Sequence, residues 1–487
     1  MRAAVVGGGI AGLSAAWELA CLGAEVTVFE PGRPGGKLLT TDFLGRPVDE
    51  GPDALLARVP EGVGLCRELG LGDRLVAPAA SRALLWSGGR LRPLPEGLVL
   101  GAPARLLPLA RSGIVSVPGL LRALGDLVLP HRPVQDDASV FDLVAGRFGP
   151  EVADKLIEPL VGSIYAGTTR GLSAATVAPQ LLRAAGQGRS LLLALRSSGR
   201  AAPGPARPGP RTPAARTPGT GEAAFQGLLT GLGSLPSTLV DRLVGDKGAR
   251  LVGEAVNALE VSGTGVDVVT GAGRTWFDVA VAAVPAPGAA QLLGSVVPGE
   301  QGLRHLAATR FSSVAIVTLA FAQGTWDLPA DLSGLLVAPG SDMLMTACSF
   351  GTNKWPHWSA PGTTVVRVSV GKLGDERWAD MDDEVLAGRC CAELGAVLPP
   401  GPLRSGIDRH LAPVPLPGGT RVSRWPSALP QYAVGHLSAM SGLREALART
   451  APMVAVAGAS FGRVGVPANI AAGREAARTV HAHATRA

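Results

Sequence analysis

Aromatic residues occupy only 4% of the 487 positions, and lysine is scarce: five of the 45 basic residues are Lys (Lys37, Lys155, Lys247, Lys354, Lys372). No block of five or six basic residues occurs, so the patterns usual in nucleic-acid binders are excluded. The net charge of +6 then fits solubility, anionic ligands or an anionic membrane surface. Cysteine is also rare. Cys21, Cys66, Cys348, Cys390 and Cys391 are odd in number and form no CxxC, which supports neither a disulfide framework nor a zinc ribbon. No zinc, iron or iron–sulfur ligand spacing occurs, and no Ser/His/Asp set has a nucleophile-elbow context. No apolar run reaches the ~18 residues of a membrane span. The nearest, residues 279–297, is broken by Pro285, Pro287 and Gln291. No basic leader precedes an apolar core. A reducing, cytoplasmic setting is expected, with peripheral contact to the inner membrane face left open.

What is abundant is glycine (66) and proline (40), in a chain that is 46% hydrophobic and 17% charged. That balance describes a globular protein, and at ~150 residues per domain the length allows two to four domains. Residues 3–6 form a short apolar run typical of a buried parallel strand. Residues 7–12 read Gly-Gly-Gly-Ile-Ala-Gly, and residues 13–22 read as a helix ended by Gly23. A second strand over 25–30 ends in Glu30, which completes a βαβ unit. The division of labour is physical. Gly7 permits the tight turn, Gly9 lets a diphosphate approach the backbone, and Gly12 lets helix and strand pack closely. Glu30, eighteen residues past Gly12, suits ribose hydroxyls.

Further along, residues 59–129 are expected to be largely helical between prolines, and 140–157 to form a helix pair. Residues 199–221 hold six prolines and four arginines and read as a flexible low-complexity loop. Strands are expected over 250–261, 265–270, 276–283, 311–321, 365–370 and 453–457, and helices over 382–397 and 468–484. The Cys390–Cys391 pair sits among Ala and Leu and reads as buried and inert.

The segments after Glu30 carry a resemblance. Gly32-Arg33-Pro34-Gly35-Gly36-Lys37 and Asp49-Glu50-Gly51-Pro52-Asp53 resemble the second glycine motif of the flavin amine oxidase superfamily. Residues 256 and 282–286, and the terminal Val456, Gly458, Gly465 and Ile470, are similar to its other FAD contacts. Residues 91–97, 157–167, 425–436 and 458–467 look like the oxygen-dependent protoporphyrinogen/coproporphyrinogen oxidases, with wording that leans to the bacterial coproporphyrinogen III type.

The resemblance implies an α/β flavoprotein with a discontinuous Rossmann-like FAD-binding domain (1–80, 222–300 and 420–487). A substrate domain at 301–419 is α+β, and a mostly helical subdomain covers 81–198. It implies that FAD contacts Gly7, Gly9, Ile10, Ala11, Gly12, Glu30, Gly35, Gly36, Lys37, Gly51, Pro52, Asp53, Val256, Trp425, Gly458, Val464, Gly465 and Val466. Arg82 and Lys354 are the expected carboxylate contacts of the substrate, while Ser163, Ile164, Tyr165, Gly334 and Leu336 are its slot. The implied reaction removes six electrons from a porphyrinogen in three two-electron steps, with O2 giving hydrogen peroxide. It requires no dedicated base, and no catalytic side chain is assigned. His436 is given a structural or flavin-side role, and Tyr432 a packed or pocket-lining one. A membrane surface and a ferrochelatase-type acceptor of the product are the partners admitted. Ser163, Arg463, Ala468 and Asn469 depart from the family pattern. They keep a non-catalytic flavin- or porphyrin-binding protein in view, beside protoporphyrinogen IX oxidation and other flavin amine oxidase chemistry.

Overall fold

The structure, a computed structural model, describes residues 1–129, 137–200, 223–398, 401–402, 417–462 and 464–486. Arg463 and residues 201–222, most of the Pro/Arg-rich stretch, lie outside them. The expected α/β class is what the chain adopts. Strand Arg2–Val6 is buried from Ala3 onward, Glu25–Phe29 from Val26 onward, and Val279–Ala282 throughout. Unbroken burial marks strands covered on both faces, and such strands are parallel. They lie in a five-stranded parallel sheet ordered Arg250–Val252, Glu25–Phe29, Arg2–Val6, Val279–Ala282, Val454–Val456. Three distant stretches of sequence thus share one sheet.

Helices Ile10–Cys21 and Val466–Ala484 pack on this sheet, and their contact is unusually close. A Cβ on Gly473 would stand 2.1 Å from the Ala11 carbonyl oxygen. The expected strand over 250–261 is in fact two. Arg250–Val252 stays in the parallel sheet, and Val256–Ser262 opens an antiparallel meander with Gly265–Thr270 and Gly273–Phe277. The break falls at Gly253, where the chain changes sheets. Likewise 276–283 divides into the end of the meander and Val279–Ala282.

The second sheet has seven strands, ordered Gly419–Pro430, Phe311–Ala322, Thr363–Val370, Met345–Phe350, Leu332–Val337, Arg82–Ser87, Arg90–Pro93. Helix Asp383–Val397 covers one face, and Cys348 and Cys390 meet in the core between them. Burial pushes the Cys390 thiol up to about 12, which agrees with an inert role. Here the helical reading of 59–129 fails in part. Helices Pro60–Glu68, Leu106–Ser112 and Val117–Leu124 form, but residues 75–103 are strands. The run Ala83-Leu84-Leu85-Trp86 pairs with Leu332–Val337, so sheet partners override local propensity. Residues 82–93 and 419–430 therefore place their strands in a sheet formed mainly by residues 311–370.

A helical lobe packs against the seven-stranded sheet, with Leu85 and Ala338 in its core. Its main element, Ala153–Gly162, is a π-helix with Pro159 inside it. Proline lacks the N–H and crowds the preceding turn, and a widened ladder accommodates it. The lobe's core takes in Tyr165, Tyr432 and Ala338, with Leu336 and Val464 packed at its margin. An Ala at a helix interior normally gains about 1 kcal/mol over Gly. At position 473 the sign should reverse, because overpacking costs about 1–3 kcal/mol. Urea unfolding of Gly473→Ala should show a lower midpoint than the parent; a higher one would mean that the two helices are not held this tightly.

Candidate functional site

The first glycine loop is shaped by contacts that leave no room for side chains. Gly7 has φ +108°, and a Cβ on Gly12 would lie 1.9 Å from the Gly7 carbonyl oxygen. Gly9 differs: its Cβ direction is open, and it caps helix Ile10–Cys21 with no side-chain hydrogen bond. The second glycine pair lies directly against this loop. Gly35 bridges Gly9, the Gly35 N–H donates to the Gly8 carbonyl at 2.8 Å, and a Cβ on Gly36 would be 3.4 Å from the Gly9 Cα. Glu30 closes the loop from the strand end, accepting from the Gly8 and Gly32 amides at 2.7 and 2.9 Å.

Helix Val466–Ala484 begins likewise. It is capped by Gly465 (φ +113°) with an open Cβ direction, no side-chain cap and no acid in its first turn. Gly458 (φ +109°) would place a Cβ 3.8 Å from that of Ala11. Two helix N-termini with free donors, an open backbone cradle and an acid at the strand end match what the two phosphates and ribose of a dinucleotide require. Lys37 is solvent-exposed yet ringed by protein, and this partial desolvation lowers its ammonium pKa. Val256 packs on the margin of the parallel-sheet core, and Val466 is buried in it.

Asp53 has a more definite role than the sequence indicates. Its carboxylate receives the Lys354 ammonium at 2.9 Å on both oxygens and the Trp355 indole N–H at 3.0 Å, and Arg367 stands 3.4 Å away. Burial alone would raise the Asp53 pKa, but Lys354 and Arg367 outweigh it and hold the group down at about 2. Lys354, expected at a substrate carboxylate, is thus occupied by Asp53. Arg367 also donates to the Gly51 carbonyl at 2.6 Å, and the Trp425 indole donates to that of Glu50 at 3.1 Å. Glu50 in turn accepts from Thr41 and Ser423. Gly51 is required because a Cβ there would meet the Lys37 carbonyl oxygen at 2.2 Å. Pro52 is exposed between these anchors.

Behind the terminal glycine turn, Tyr432 is fully buried and its hydroxyl donates to the Ala459 carbonyl at 2.7 Å. Its ring meets that of Tyr165 edge-on at 5.9 Å and that of His436 at 4.7 Å. His436 is also fully buried, with Nδ1 3.1 Å from Nε2 of His305. Burial, then the neighbouring His305 and Arg444, pull its pKa down to about 4, against an opposing pull from Asp137. His436 is therefore neutral at physiological pH, in keeping with a structural role.

A shallow cleft of about 60 Å³, open to solvent, lies between residues 158–167 and the ends of the seven-stranded sheet. Ser163, Gly162 and Ala166 line one side, and Val337, Met345 and Lys372 the other. Gln431 fixes the first side by donating to the Tyr165 carbonyl at 2.8 Å. The expected slot residues divide. Ser163 lines the cleft and bonds back to the Leu160 carbonyl at 3.2 Å. Tyr165 is buried behind it, and Ile164 is 53% exposed. Gly334 is enclosed in the sheet, where a Cβ would meet the Cys348 carbonyl oxygen at 2.3 Å, and Leu336 packs on the helical lobe. Arg82 pairs with Leu332, whereas the cleft is reached at Val337, about 16 Å along the strand. Its guanidinium is taken by Asp331, with both contacts at 2.9 Å. Neither expected substrate cation is therefore free. Arg367, Gln431 and His305 were missed; Gln431 stood in a quoted motif without a role, and nothing in sequence pairs Arg367 with Asp53 or His305 with His436.

Comparison with known proteins agrees with this architecture. Residues 10–481 match the family of flavin containing amine oxidoreductases. The coproporphyrinogen III oxidase of Bacillus subtilis is 32% identical over 97% of this chain and 96% of its own. That of Mycobacterium tuberculosis is 34% identical over 98% and 97%. A crystal structure of an Exiguobacterium protein described as a protoporphyrinogen oxidase superposes with a TM-score of 0.82, at 28% identity, covering 99% of both chains.

The His436 environment makes a prediction about pH. Its folded-state pKa lies below the ordinary 6.5, so its contribution to stability is complete above 6.5 and is lost as pH falls toward about 4. Asp49, raised to about 6 by burial, acts in the opposite sense. Comparing the parent with His436→Gln cancels the Asp49 contribution. The variant should lose about 1–3 kcal/mol less than the parent across this interval in urea unfolding. Parallel pH profiles would contradict the assignment.

Proposed function

Because the chain belongs to the flavin-containing amine oxidoreductase family, we propose that it is an FAD-dependent oxidase of porphyrinogens, with coproporphyrinogen III as preferred substrate and O2 as oxidant. What carries the reading is the likeness, over 97% or more of the chain, to enzymes bearing that name. The geometry supports it: the cleft beside Ser163 opens where the helical lobe meets the seven-stranded sheet, and Val464 of the terminal turn packs at the margin of that lobe's core. Bound FAD supplies the two-electron acceptor that O2 regenerates.

The chain's own residues bind and orient. Gly7, Gly9, Ile10, Ala11 and Gly12 offer backbone donors to the diphosphate, and Glu30 exchanges its bonds to the Gly8 and Gly32 amides for ribose hydroxyls. Gly35, Gly36 and Lys37 flank the same groups, and Gly458, Val464, Gly465 and Val466 close over the cofactor from the second helix N-terminus. Asp53, with Gly51 and Trp425, holds the wall between cofactor and sheet. Pro159, Val337, Met343 and Met345 give the cleft apolar sides suited to a macrocycle. No base is needed in the scheme, and His436 reaches the cleft wall only through Tyr432 and Tyr165. We assign the parallel-sheet segments to cofactor binding, and the seven-stranded sheet with the helical lobe to substrate binding.

No helix among the described residues is long and apolar enough to cross a membrane. Yet Val117, Leu121 and Leu124 form one exposed stripe on a helix, continued by Leu127, Val128 and Leu129 and joined by Leu107. We propose that this stripe makes a peripheral contact with the cytoplasmic membrane face, near a ferrochelatase-type acceptor of the product. Co-sedimentation with anionic lipid vesicles should be clear for the parent and lost in Val117→Glu/Leu121→Glu; equal sedimentation of both would remove the stripe from the argument.

The direct test is growth of porphyrin fluorescence in air when FAD-loaded protein receives either porphyrinogen, with peroxide measured alongside. Fast growth with coproporphyrinogen III and slow growth with protoporphyrinogen IX is expected. The reverse preference would reassign the substrate. Growth no faster than without protein, despite bound FAD, would turn the reading toward a binder, with Ser163, Ala468 and Asn469 as the first residues to revert.

A further inference from the structure

Several cations of the helical lobe and the seven-stranded sheet are committed to acids. Arg377 holds Asp375 through two contacts of 2.8 and 2.9 Å, and Asp342 at 2.7 Å. Arg170 pairs with Asp154, Lys155 with Glu151, Arg82 with Asp331, and Lys354 with Asp53. Lys372 is different. It lines the cleft, its residue is exposed, and among the described residues its ammonium makes no ion pair.

Its position is also fixed. Strand Thr363–Val370 ends at Gly371, whose φ of +91° turns the chain, and a Cβ there would meet the Ser313 carbonyl oxygen at 2.7 Å. The Asp375 N–H closes the turn by donating to the Lys372 carbonyl at 2.9 Å. The Leu373 N–H donates to the Ala166 carbonyl at 2.7 Å, which ties this turn to the opposite, Ser163-bearing wall. The backbone of Lys372 is thus held, while its side chain is exposed and makes no contact ion pair among the described residues. Of the two acids that line the cleft, Asp375 is held in contact by Arg377 and attracts Lys372 only through space, and Glu158 is taken by the Thr169 amide at 2.8 Å and by the Thr169 hydroxyl. Walls of mixed polarity, with Pro159, Val337, Met343 and Met345 as their apolar part and one cation outside any contact ion pair, suit a ligand that joins an apolar body to carboxylates on its periphery.

We infer that Lys372 is a carboxylate-binding residue of this cleft and takes over the role that sequence reasoning gave to Arg82 and Lys354. The inference deepens the oxidase reading and rests on it for the identity of the substrate. An uncommitted ammonium meeting a carboxylate forms a charge-assisted hydrogen bond, whose loss should raise KM for coproporphyrinogen III about tenfold. Lys372→Met keeps the length of the side chain and removes the charge. It should raise KM by that factor with kcat nearly unchanged, and Lys372→Arg should restore most of the loss. An unchanged KM in Lys372→Met overturns the inference. So does equal impairment in Met and Arg, which would indicate packing alone.

Binding of coproporphyrin III, followed by quenching of its fluorescence, reads the same contact without turnover. Affinity should fall about tenfold in Lys372→Met; equal affinities overturn the inference. If the parent binds the porphyrin and the variant does not, yet neither makes porphyrin from porphyrinogen, the oxidase reading fails and the Lys372 contact stands.

Discussion

The carboxylate of Asp53 is the joint on which the two halves of the molecule meet. It sits on the segment that leaves the second glycine motif, and its partners Lys354, Trp355 and Arg367 belong to the seven-stranded sheet and its connections. Arg367 and Asp53 are each more than four-fifths buried at the side chain. Removing one member of such a group leaves a charge in the interior, at a penalty of about 3–5 kcal/mol. The pairing thus fixes how the cofactor side is set against the sheet, and it withdraws Lys354 from contact with any ligand. The neighbouring bonds of Glu50 to Thr41 and Ser423, and of Trp425 to the Glu50 carbonyl, repeat the tie along the same seam.

A second tie runs through aromatic rings rather than charges. Tyr432 binds the carbonyl of Ala459 in the terminal turn and touches Tyr165 behind the cleft wall. Gln431, its neighbour, holds the carbonyl of Tyr165 itself. Two consecutive residues thus connect the cofactor-closing turn to the wall that Ser163 lines. Rigid support of this kind positions a ligand without taking part in bond breaking.

Much of the glycine-loop geometry was legible in the sequence because its determinants are local. The turn at Gly7, the close approach at Gly12 and the acid at Glu30 each follow from residues within one βαβ unit, and the resemblance extended this to Gly35, Gly36 and the terminal turn. The substrate side was not legible to the same degree. Whether an arginine is free depends on which acid the fold brings to it, and Arg82 meets an aspartate 249 positions away. Lys372 drew no attention because nothing beside it in sequence marks it. Strand Arg82–Ser87 was misread for the same reason: it exists because Leu332–Val337 lies alongside.

The parallel sheet has a consequence for the order of events in the cell. Strand Arg2–Val6 pairs with Val279–Ala282, and that strand pairs with Val454–Val456. The helix that follows supplies the second open N-terminus of the cradle. The arrangement of the two glycine turns is therefore incomplete until residues 454–484 have been made. Pairings this distant along the chain form slowly and keep apolar strands exposed meanwhile. The parallel sheet is thus closed only by contacts between residues more than 170 positions apart.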